Sequence, residues 1–385
     1  MQKLLSQASI NNKIVLLRLD LNVPVFENKI LSDFRITKSL KTIQNLLDNN
    51  NRIIILSHFG RPTEGEYDSK YSLERVSDRL QELLSQKVIL VKNWIDGVEF
   101  DSTANIIMCE NVRFQIGEKE NLLSLSKKIA SLGNVFVFDA FGVSHRKEAS
   151  SYGVSDYLDT YAGHLLESEI INAKKLLSPQ TRPLTTIISG AKISTKLTLI
   201  KKLILKSDHI ILGGGILNTF LSAMGHNVGD SLVEKSFIDE AKEILNGEYS
   251  KKIVMPIDVV VTNSLSLDNS KNKKISMLQS NDKILDIGEK TTDHYIDIIR
   301  SSKTVFWNGP LGYIEKKPYD NGTIKISEAI ASSDTYSIVG GGDTIPVIEK
   351  LGLQNDFSYL STGGGSLLKF IEGEDMPILT KLGMI

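Results

Sequence analysis

The sequence predicts an α/β chain of two domains, and three features carry that reading. At 385 residues the chain is longer than one core comfortably serves. Its first half alternates short apolar runs of strand character with segments of helical periodicity, the pattern of a parallel sheet. In its second half three apolar runs each end in a triglycine: Gly213-Gly214-Gly215, Gly340-Gly341-Gly342 and Gly363-Gly364-Gly365. Glycine carries no Cβ, so backbone placed there can come close to a bulky anion. Ligands of open α/β sheets lie outside the carboxyl ends of the strands, so three such ends could converge on one polyphosphate.

The composition, 41% hydrophobic and 24% charged, is ordinary for a soluble globular protein. A net charge of −1 sets up no global field toward nucleic acid or membrane, and neither is an expected partner. Cys109 is the only cysteine, which excludes an internal disulfide and fits a reducing compartment. Residues 1–6 carry no signal-peptide core, and no apolar run nears the roughly 20 residues of a membrane span. A cytoplasmic protein is the expectation.

In chain order, residues 14–19 read as a buried strand leading into Arg18-Leu19-Asp20-Leu21-Asn22-Val23-Pro24. Residues 33–48 read as a helix, because Ile36, Leu40, Ile43 and Leu47 recur at helical spacing, with Asp33 as its N-cap. A strand over 52–56 runs into Ser57-His58-Phe59-Gly60-Arg61-Pro62, and polar residues 63–71 read as a loop. An amphipathic helix over 73–84 and a strand over 88–91 follow. A strand over 105–108 leads to Glu110-Asn111-Val112-Arg113-Phe114. After a helix over 122–132, a strand over 135–138 leads to Asp139-Ala140-Phe141-Gly142-Val143-Ser144-His145-Arg146.

These strand ends carry Arg18, Arg61, Arg113 and Arg146, with His58 and His145 beside them. A lone arginine at a strand end is usually a solvated rim residue or the partner of a nearby carboxylate. Four at one sheet edge predict a cup for a small, highly anionic ligand, since guanidinium forks match carboxylate and phosphate. The two histidines read as polar loop residues rather than acid–base groups.

Residues 164–177 read as one helix, followed by Pro179 and Pro183, and the connection between domains is placed there. A strand over 184–188 ends in Ser189-Gly190-Ala191-Lys192-Ile193-Ser194-Thr195-Lys196. Lys192 and Lys196, four apart at a helix start, are expected to share a face. A helix over 234–245, a strand over 252–255 and a polar, exposed hairpin or loop over 263–283 follow. The segment from Val305 to Glu315, with Asn308-Gly309-Pro310, could flank a purine, Glu315 accepting from ribose hydroxyls; it also reads as a packed turn with an exposed acid. In Gly340-Gly341-Gly342-Asp343-Thr344, Asp343 can hold a divalent metal and Thr344 can donate to a phosphate oxygen. Helical residues 345–351 would present free N–H groups to the anion. The same stretch also reads as a turn capped by Asp343 and Thr344.

No Gly-x-x-x-x-Gly-Lys-[Ser/Thr] loop is present, and no Gly-x-Gly-x-x-Gly follows the first strand, which argues against a phosphate-loop ATPase and an NAD dehydrogenase. Arginines in one half and glycines, lysines and Asp-Thr in the other suit transfer of a phosphoryl group between two ligands, a reaction that needs mainly positioning and charge neutralisation. The motifs hold more Arg and Lys than any obvious base. That favours a carboxylate acceptor, already ionised at neutral pH with a pKa of about 4. A kinase for another small carboxylate and a non-catalytic nucleotide-binding scaffold are the alternatives.

The ordered set from Arg18–Pro24 through Ser57–Pro62, Glu110–Phe114, Asp139–Arg146, Gly190-Ala191-Lys192, Trp307-Asn308-Gly309-Pro310 and Gly340–Thr344 resembles the phosphoglycerate kinase family and spans nearly the whole chain. The resemblance implies two doubly wound, Rossmann-like parallel-sheet domains joined by a helix and hinge: 1–163 for phosphoglycerate, 164–180 connecting, 181–371 for nucleotide, and a tail over 372–385 returning to the first domain. It implies a cytoplasmic glycolytic enzyme, expected to be a monomer, that passes a phosphoryl group between 1,3-bisphosphoglycerate and MgADP to give 3-phosphoglycerate and MgATP. Carried over, Asp20, Leu21, Asn22, Arg35, His58, Phe59, Gly60, Arg61, Arg113 and Arg146 would bind phosphoglycerate. Arg35, Lys192 and Lys196 would serve the transferring group. Lys196, Gly213, Gly214, Asn308, Pro310, Glu315, Gly341, Gly342, Asp343 and Thr344 would bind nucleotide, with Asp343 on Mg²⁺. The chain departs from the usual pattern at Ser366-Leu367-Leu368-Lys369, at Glu289 and at Val143-Ser144, none of them an implied ligand.

Overall fold

The computed structural model describes residues 2–178, 180, 182–265 and 269–385. Pro179, read as part of the domain connection, and residues 266–268 of the polar 263–283 stretch lie outside the described residues. The chain divides into two compact units, Met1–Ile171 with Gly373–Ile385 and Asn172–Glu372.

The first unit holds β1 (Ile14–Leu19), a small hairpin of β2 (Val25–Phe26) and β3 (Lys29–Ile30), α1 (Phe34–Asp48), β4 (Arg52–Leu56), α2 (Glu74–Leu84), β5 (Val88–Val91), β6 (Ile106–Cys109), α3 (Leu123–Ala130), β7 (Val135–Asp139) and β8 (Thr160–Ala162). Its sheet runs β5-β6-β4-β1-β7-β8, and every pairing is parallel. The chain winds outward from β1 in both directions, so the strand order reverses at the centre, where ligands of such sheets sit. β1 and β7 are buried nearly throughout because both faces are covered, and Val15, Leu17, Leu19, Ile53, Ile55 and Val137 share one core. Asp33 stands at the start of α1, but its side chain makes no cap hydrogen bond; its Oδ2 accepts from Arg79 Nε at 2.8 Å instead.

α4 (His164–Leu176) crosses the division between units. The second unit continues with β9 (Leu184–Ser189), α5 (Leu197–Lys206), β10 (His209–Gly213), α6 (Gly214–Ala223), α7 (Ile238–Asn246), β11 (Ile253–Val254), β12 (Asp258–Thr262), β13 (Lys271–Lys274), β14 (Lys283–Ile287), α8 (Glu289–Ser301), β15 (Thr304–Asn308), α9 (Asn321–Ala331), β16 (Tyr336–Gly340), α10 (Ile345–Lys350), β17 (Tyr359–Ser361) and α11 (Gly365–Glu372). Its main sheet runs β11-β10-β9-β15-β16-β17, again all parallel, with the reversal between β9 and β15. The polar stretch read as a hairpin or loop contributes β13 to a separate antiparallel sheet, β13-β12-β14. α12 (Pro377–Lys381) belongs to the first unit, where Lys381 Nζ donates to Asp156 Oδ1 at 2.6 Å and lies 3.5 Å from the centre of the Tyr152 ring.

Candidate active site

In the first unit the loops after β1, β4, β6 and β7 meet at the carboxyl edge of the sheet. Gly60 is their junction. Its N–H donates to Asn22 Oδ1 at 2.9 Å, and its carbonyl accepts from Arg113 Nη1 at 2.7 Å. The turn requires glycine: φ is +61°, and a Cβ would stand 2.3 Å from the Tyr71 ring. Asn111, fully buried, ties the same loop down. Its Oδ1 accepts from the N–H of Phe59 (3.2 Å) and of Arg113 (3.1 Å), and its Nδ2 donates to the carbonyls of Phe59 and Tyr71. Leu21 and Phe59 pack their side chains into the core, and Leu21 N–H donates to Ser57 Oγ at 3.0 Å.

Asp20 and Arg35 form a 2.6 Å ion pair, and Arg35 keeps 26% of its side chain exposed. Burial alone would raise the Asp20 carboxyl, but Arg35, with Arg18 and the Asn22 N–H, outweighs it and holds the group below its ordinary value. Burial, aided by Arg18, Arg113 and Arg146, drives His58 well below its usual range despite Asp20. His58 is therefore neutral at pH 7. An arginine has no acceptor to offer, so His58 Nδ1, 3.4 Å from Arg18 Nη2, is the acceptor and the ring proton sits on Nε2. His58, a polar loop residue by its own context and a phosphoglycerate ligand by the resemblance, sits in the buried cluster.

One of the four arginines expected in the cup is not there. Arg18 is fully buried, its Nε bound to Ser150 Oγ at 3.1 Å and its Nη1 to the Leu19 carbonyl. It lies within β1 rather than after it, and both faces of that strand are covered, so its side chain is buried either way. Arg113 and Arg146 do converge, both donating to Glu148 Oε1, at 3.3 and 3.2 Å, and Arg146 Nε also reaches His145 Nε2 at 3.2 Å. Arg61 is exposed. Glu148 and Asn111 were not singled out as site residues. Asn111 lies inside a recognised motif, but Glu148 follows the last one by two positions and has no sequence signal of its own.

In the second unit a cavity of about 410 Å³ opens at the strand-order reversal, lined by the segments after β9, β15, β16 and β17. Lys192, Lys196, Asn308, Pro310, Gly341, Gly342 and Asp343 line it. Ser189, Gly190, Ala191, Thr195, Gly309, Gly364, Gly365 and Leu368 complete the wall. Gly364 and Gly365 come from the third triglycine, expected to converge with the others on a polyphosphate but not among the ligands the resemblance implies. Lys196 Nζ donates to Asn308 Oδ1, and Asn308 Nδ2 donates to the Gly340 carbonyl, joining the ends of β15 and β16. Burial lowers Lys196 from its ordinary value, opposed by Glu372 and Asp343. Thr344 is buried, and its Oγ1 accepts from Gly309 N–H at 3.1 Å.

Lys192 and Lys196 do not share a helix face. Lys192 is extended, a 3-10 turn over Ile193–Thr195 intervenes, and Lys196 only begins α5. Both reach the cavity by the turn, which Glu234 clamps by accepting from Ser194 N–H and Oγ at 2.8 and 2.7 Å. Of the three triglycines, two meet at the cavity. Gly213 and Gly214 are not in its wall; they close the start of α6 onto the β9 turn, where a Cβ on Gly213 would stand 2.6 Å from Ser189 Oγ. Glu315 is exposed and is not in the cavity wall.

Comparisons with known proteins agree along the whole chain. The family model for phosphoglycerate kinase matches residues 5–374. Phosphoglycerate kinase of Francisella tularensis subsp. holarctica is 44% identical over 380 residues, covering 97% of this chain and 96% of that one. The enzyme of Legionella pneumophila is 44% identical over 382 residues, covering 98% and 96%. Among solved structures, phosphoglycerate kinase from Coxiella burnetii matches with a TM-score of 0.88 and 39% identity over 100% of this chain and 99% of that one. The Pyrococcus horikoshii enzyme matches at 0.87 and 28%, over 99% and 98%. The fold and the matches define a phosphotransferase with a carboxyl group as acceptor. The chain belongs to the phosphoglycerate kinase family.

Proposed function

We propose that the chain catalyses the glycolytic exchange of a phosphoryl group between 1,3-bisphosphoglycerate and MgADP, giving 3-phosphoglycerate and MgATP. The observation that carries this is the presence of two unlike anion sites, each at the strand-order reversal of its own sheet: a partly buried arginine cluster and a glycine-walled cavity holding Lys196. Phosphoglycerate binds at Asp20, Asn22, Arg35, His58, Arg61, Arg113 and Arg146, on a loop shaped by Leu21, Phe59 and Gly60. His58 offers its Nε2–H to the ligand as a neutral donor. Arg35, more open than Arg113 and already oriented by Asp20, reaches the group in transfer.

Nucleotide phosphates lie against Gly341, Gly342 and the lysines, beside Asn308 and Pro310. Thr344 positions Gly309, and Gly213, Gly214 and Glu315 shape the nucleoside end. Asp343 is exposed on the cavity wall, and among the described residues no cluster of three acidic, histidine or cysteine side chains could hold a metal unaided. That suits Mg²⁺ arriving with the nucleotide, its remaining oxygens supplied by phosphate and water. Lys196, desolvated and aimed by Asn308, neutralises charge as the phosphoryl group moves, with Lys192 in support. No general base is needed, because the acceptor carboxylate is already ionised. The chemistry requires both ligands to meet away from water, so we assign a hinge closure of the units to turnover, in a cytoplasmic monomer.

The test is ADP formation from MgATP with and without 3-phosphoglycerate, coupled to removal of the acyl phosphate. Dependence on 3-phosphoglycerate is expected; binding of both ligands without turnover would overturn the catalytic reading.

A further inference from the structure

We propose that Glu148 is a positioning residue, a buried anchor whose single oxygen sets Arg113 and Arg146 at the spacing the phosphoglycerate anion requires. This rests on the assignment of those two arginines to phosphoglycerate.

Glu148 is 4% exposed and follows Arg146 by two residues. Its Oε1 accepts from Arg113 Nη2 at 3.3 Å and from Arg146 Nη1 at 3.2 Å, so one atom ties the end of the β6 loop to the end of the β7 loop. Its Oε2 is buried with no hydrogen-bond partner, and so is Nε of Arg113. Buried polar atoms are nearly always satisfied, so two orphans on this pair of residues show that protein groups alone do not complete the contact. Arg113 is fixed at a second point, Nη1 on the Gly60 carbonyl at 2.7 Å. Two such points define the plane of a guanidinium. Arg146 is pinned from behind by the same Oε1 while 37% of its side chain stays open. The arrangement costs positive charge, since a carboxylate beside two cations weakens their hold on an anion. What it returns is geometry: two forks that would repel each other are held at one point and made to converge.

Geometry and charge predict opposite orders among conservative variants. Glu148→Gln keeps the length and the accepting oxygen; it loses the charge and an oxygen that makes no bond. Glu148→Asp keeps the charge but is one methylene too short to reach both arginines. The steady-state KM for 3-phosphoglycerate and for MgATP would be measured for both variants and for Glu148→Ala, with thermal melting as a check on folding. The expected result is a KM for 3-phosphoglycerate raised about tenfold in Asp and Ala, the scale of one charged hydrogen bond, and largely recovered in Gln. The KM for MgATP should stay within about twofold in all. Recovery by Asp and not by Gln would make the role electrostatic and overturn the proposal. So would an unchanged KM in all three, or equal losses in both KM values alongside a lower melting temperature. Should Ala fail to fold, the Gln–Asp order still decides. Arg113→Ala serves as the control: if it too leaves the KM for 3-phosphoglycerate unchanged, the site assignment has failed rather than the role of Glu148.

Discussion

The two anion sites are built from different material. The first unit's site is made of side chains, and those side chains are already occupied with one another: Arg35 with Asp20, Arg113 with Gly60 and Glu148, Arg146 with Glu148 and His145. The second unit's site is made largely of backbone, six of its fifteen wall residues being glycines. The contrast fits the ligands. A small polyanion is recognised by forks fixed in direction, which need partners behind them. A polyphosphate is recognised by close approach along its length, which needs the absence of Cβ atoms. Side-chain networks should therefore fail through lost partners, and the glycine wall through intruding atoms.

Lys196 is the exception in the second site, and its loss should have the largest effect. Lys196→Ala is expected to lower kcat by about 10²–10³, the cost of removing one preorganised charge donor, with a far smaller change in ADP affinity. Single-turnover kinetics with calorimetry separates the two; equal losses would make Lys196 a binding residue only. Arg113→Ala tests the partnered site. Loss of a charged contact should weaken 3-phosphoglycerate binding by roughly ten- to a hundredfold. It should also destabilise the fold, because Glu148 and the Gly60 carbonyl both lose a donor. A matching loss of ADP affinity would contradict the separation of the sites.

The glycine wall should respond position by position. Gly309 has φ +91°, and a Cβ there would meet the Ser189 carbonyl at 2.1 Å, so Gly309→Ala should cost about 1–3 kcal/mol in chemical denaturation. Gly342, in the turn after the neighbouring strand β16 in the same wall, has nothing within 4 Å of an added Cβ. Gly342→Ala should therefore stay within about 0.5 kcal/mol in stability, while weakening ADP if phosphates lie against that backbone. Loss of stability at Gly342, or none at Gly309, would break the account of how the wall is made.

Much of this was legible in the sequence, for a physical reason. Strands buried on both faces read as apolar runs, and the residues just past them carry the chemistry, so Arg113 and Asp343 were read together with their strands, while Asp20, His58 and Asn308 came with the family resemblance. What was missed depends on contacts distant in sequence or on direction. Arg18 is buried because it precedes the strand end by one residue. Glu148 matters only because Arg113, 35 positions away, reaches it. Lys192 and Lys196 have helical spacing, but a 3-10 turn lies between them. β13, Lys271–Lys274, is a wholly polar edge strand, with no apolar run to betray it.

The last prediction concerns the charge behind the partnered site. Glu118 is fully buried, and burial together with Glu148 raises its carboxyl to about 7, although Ser150 N–H and Oγ donate to it and Arg18 lies near. Its folded pKa thus stands above the ordinary value of 4.5. Below the unfolded value both states are protonated and the group is neutral with respect to folding as pH changes. Between 4.5 and about 7 only the folded state keeps the proton, so stability falls as pH rises, by about 1.4 kcal/mol per unit. Above 7 the loss is complete and the curve is flat. Glu118→Gln mimics the protonated form and cannot ionise. The stability of the variant relative to the wild type should therefore climb between pH 5 and 7 and level off beyond. Asp139 and Asp286, also raised to about 7 by burial, remain in both proteins, so the difference isolates Glu118. Denaturant midpoints from pH 5 to 8 measure it. A difference that does not vary with pH would mean Glu118 stays ionised beside Arg18, and that the side-chain site rests on a fully charged network rather than on one held near neutrality.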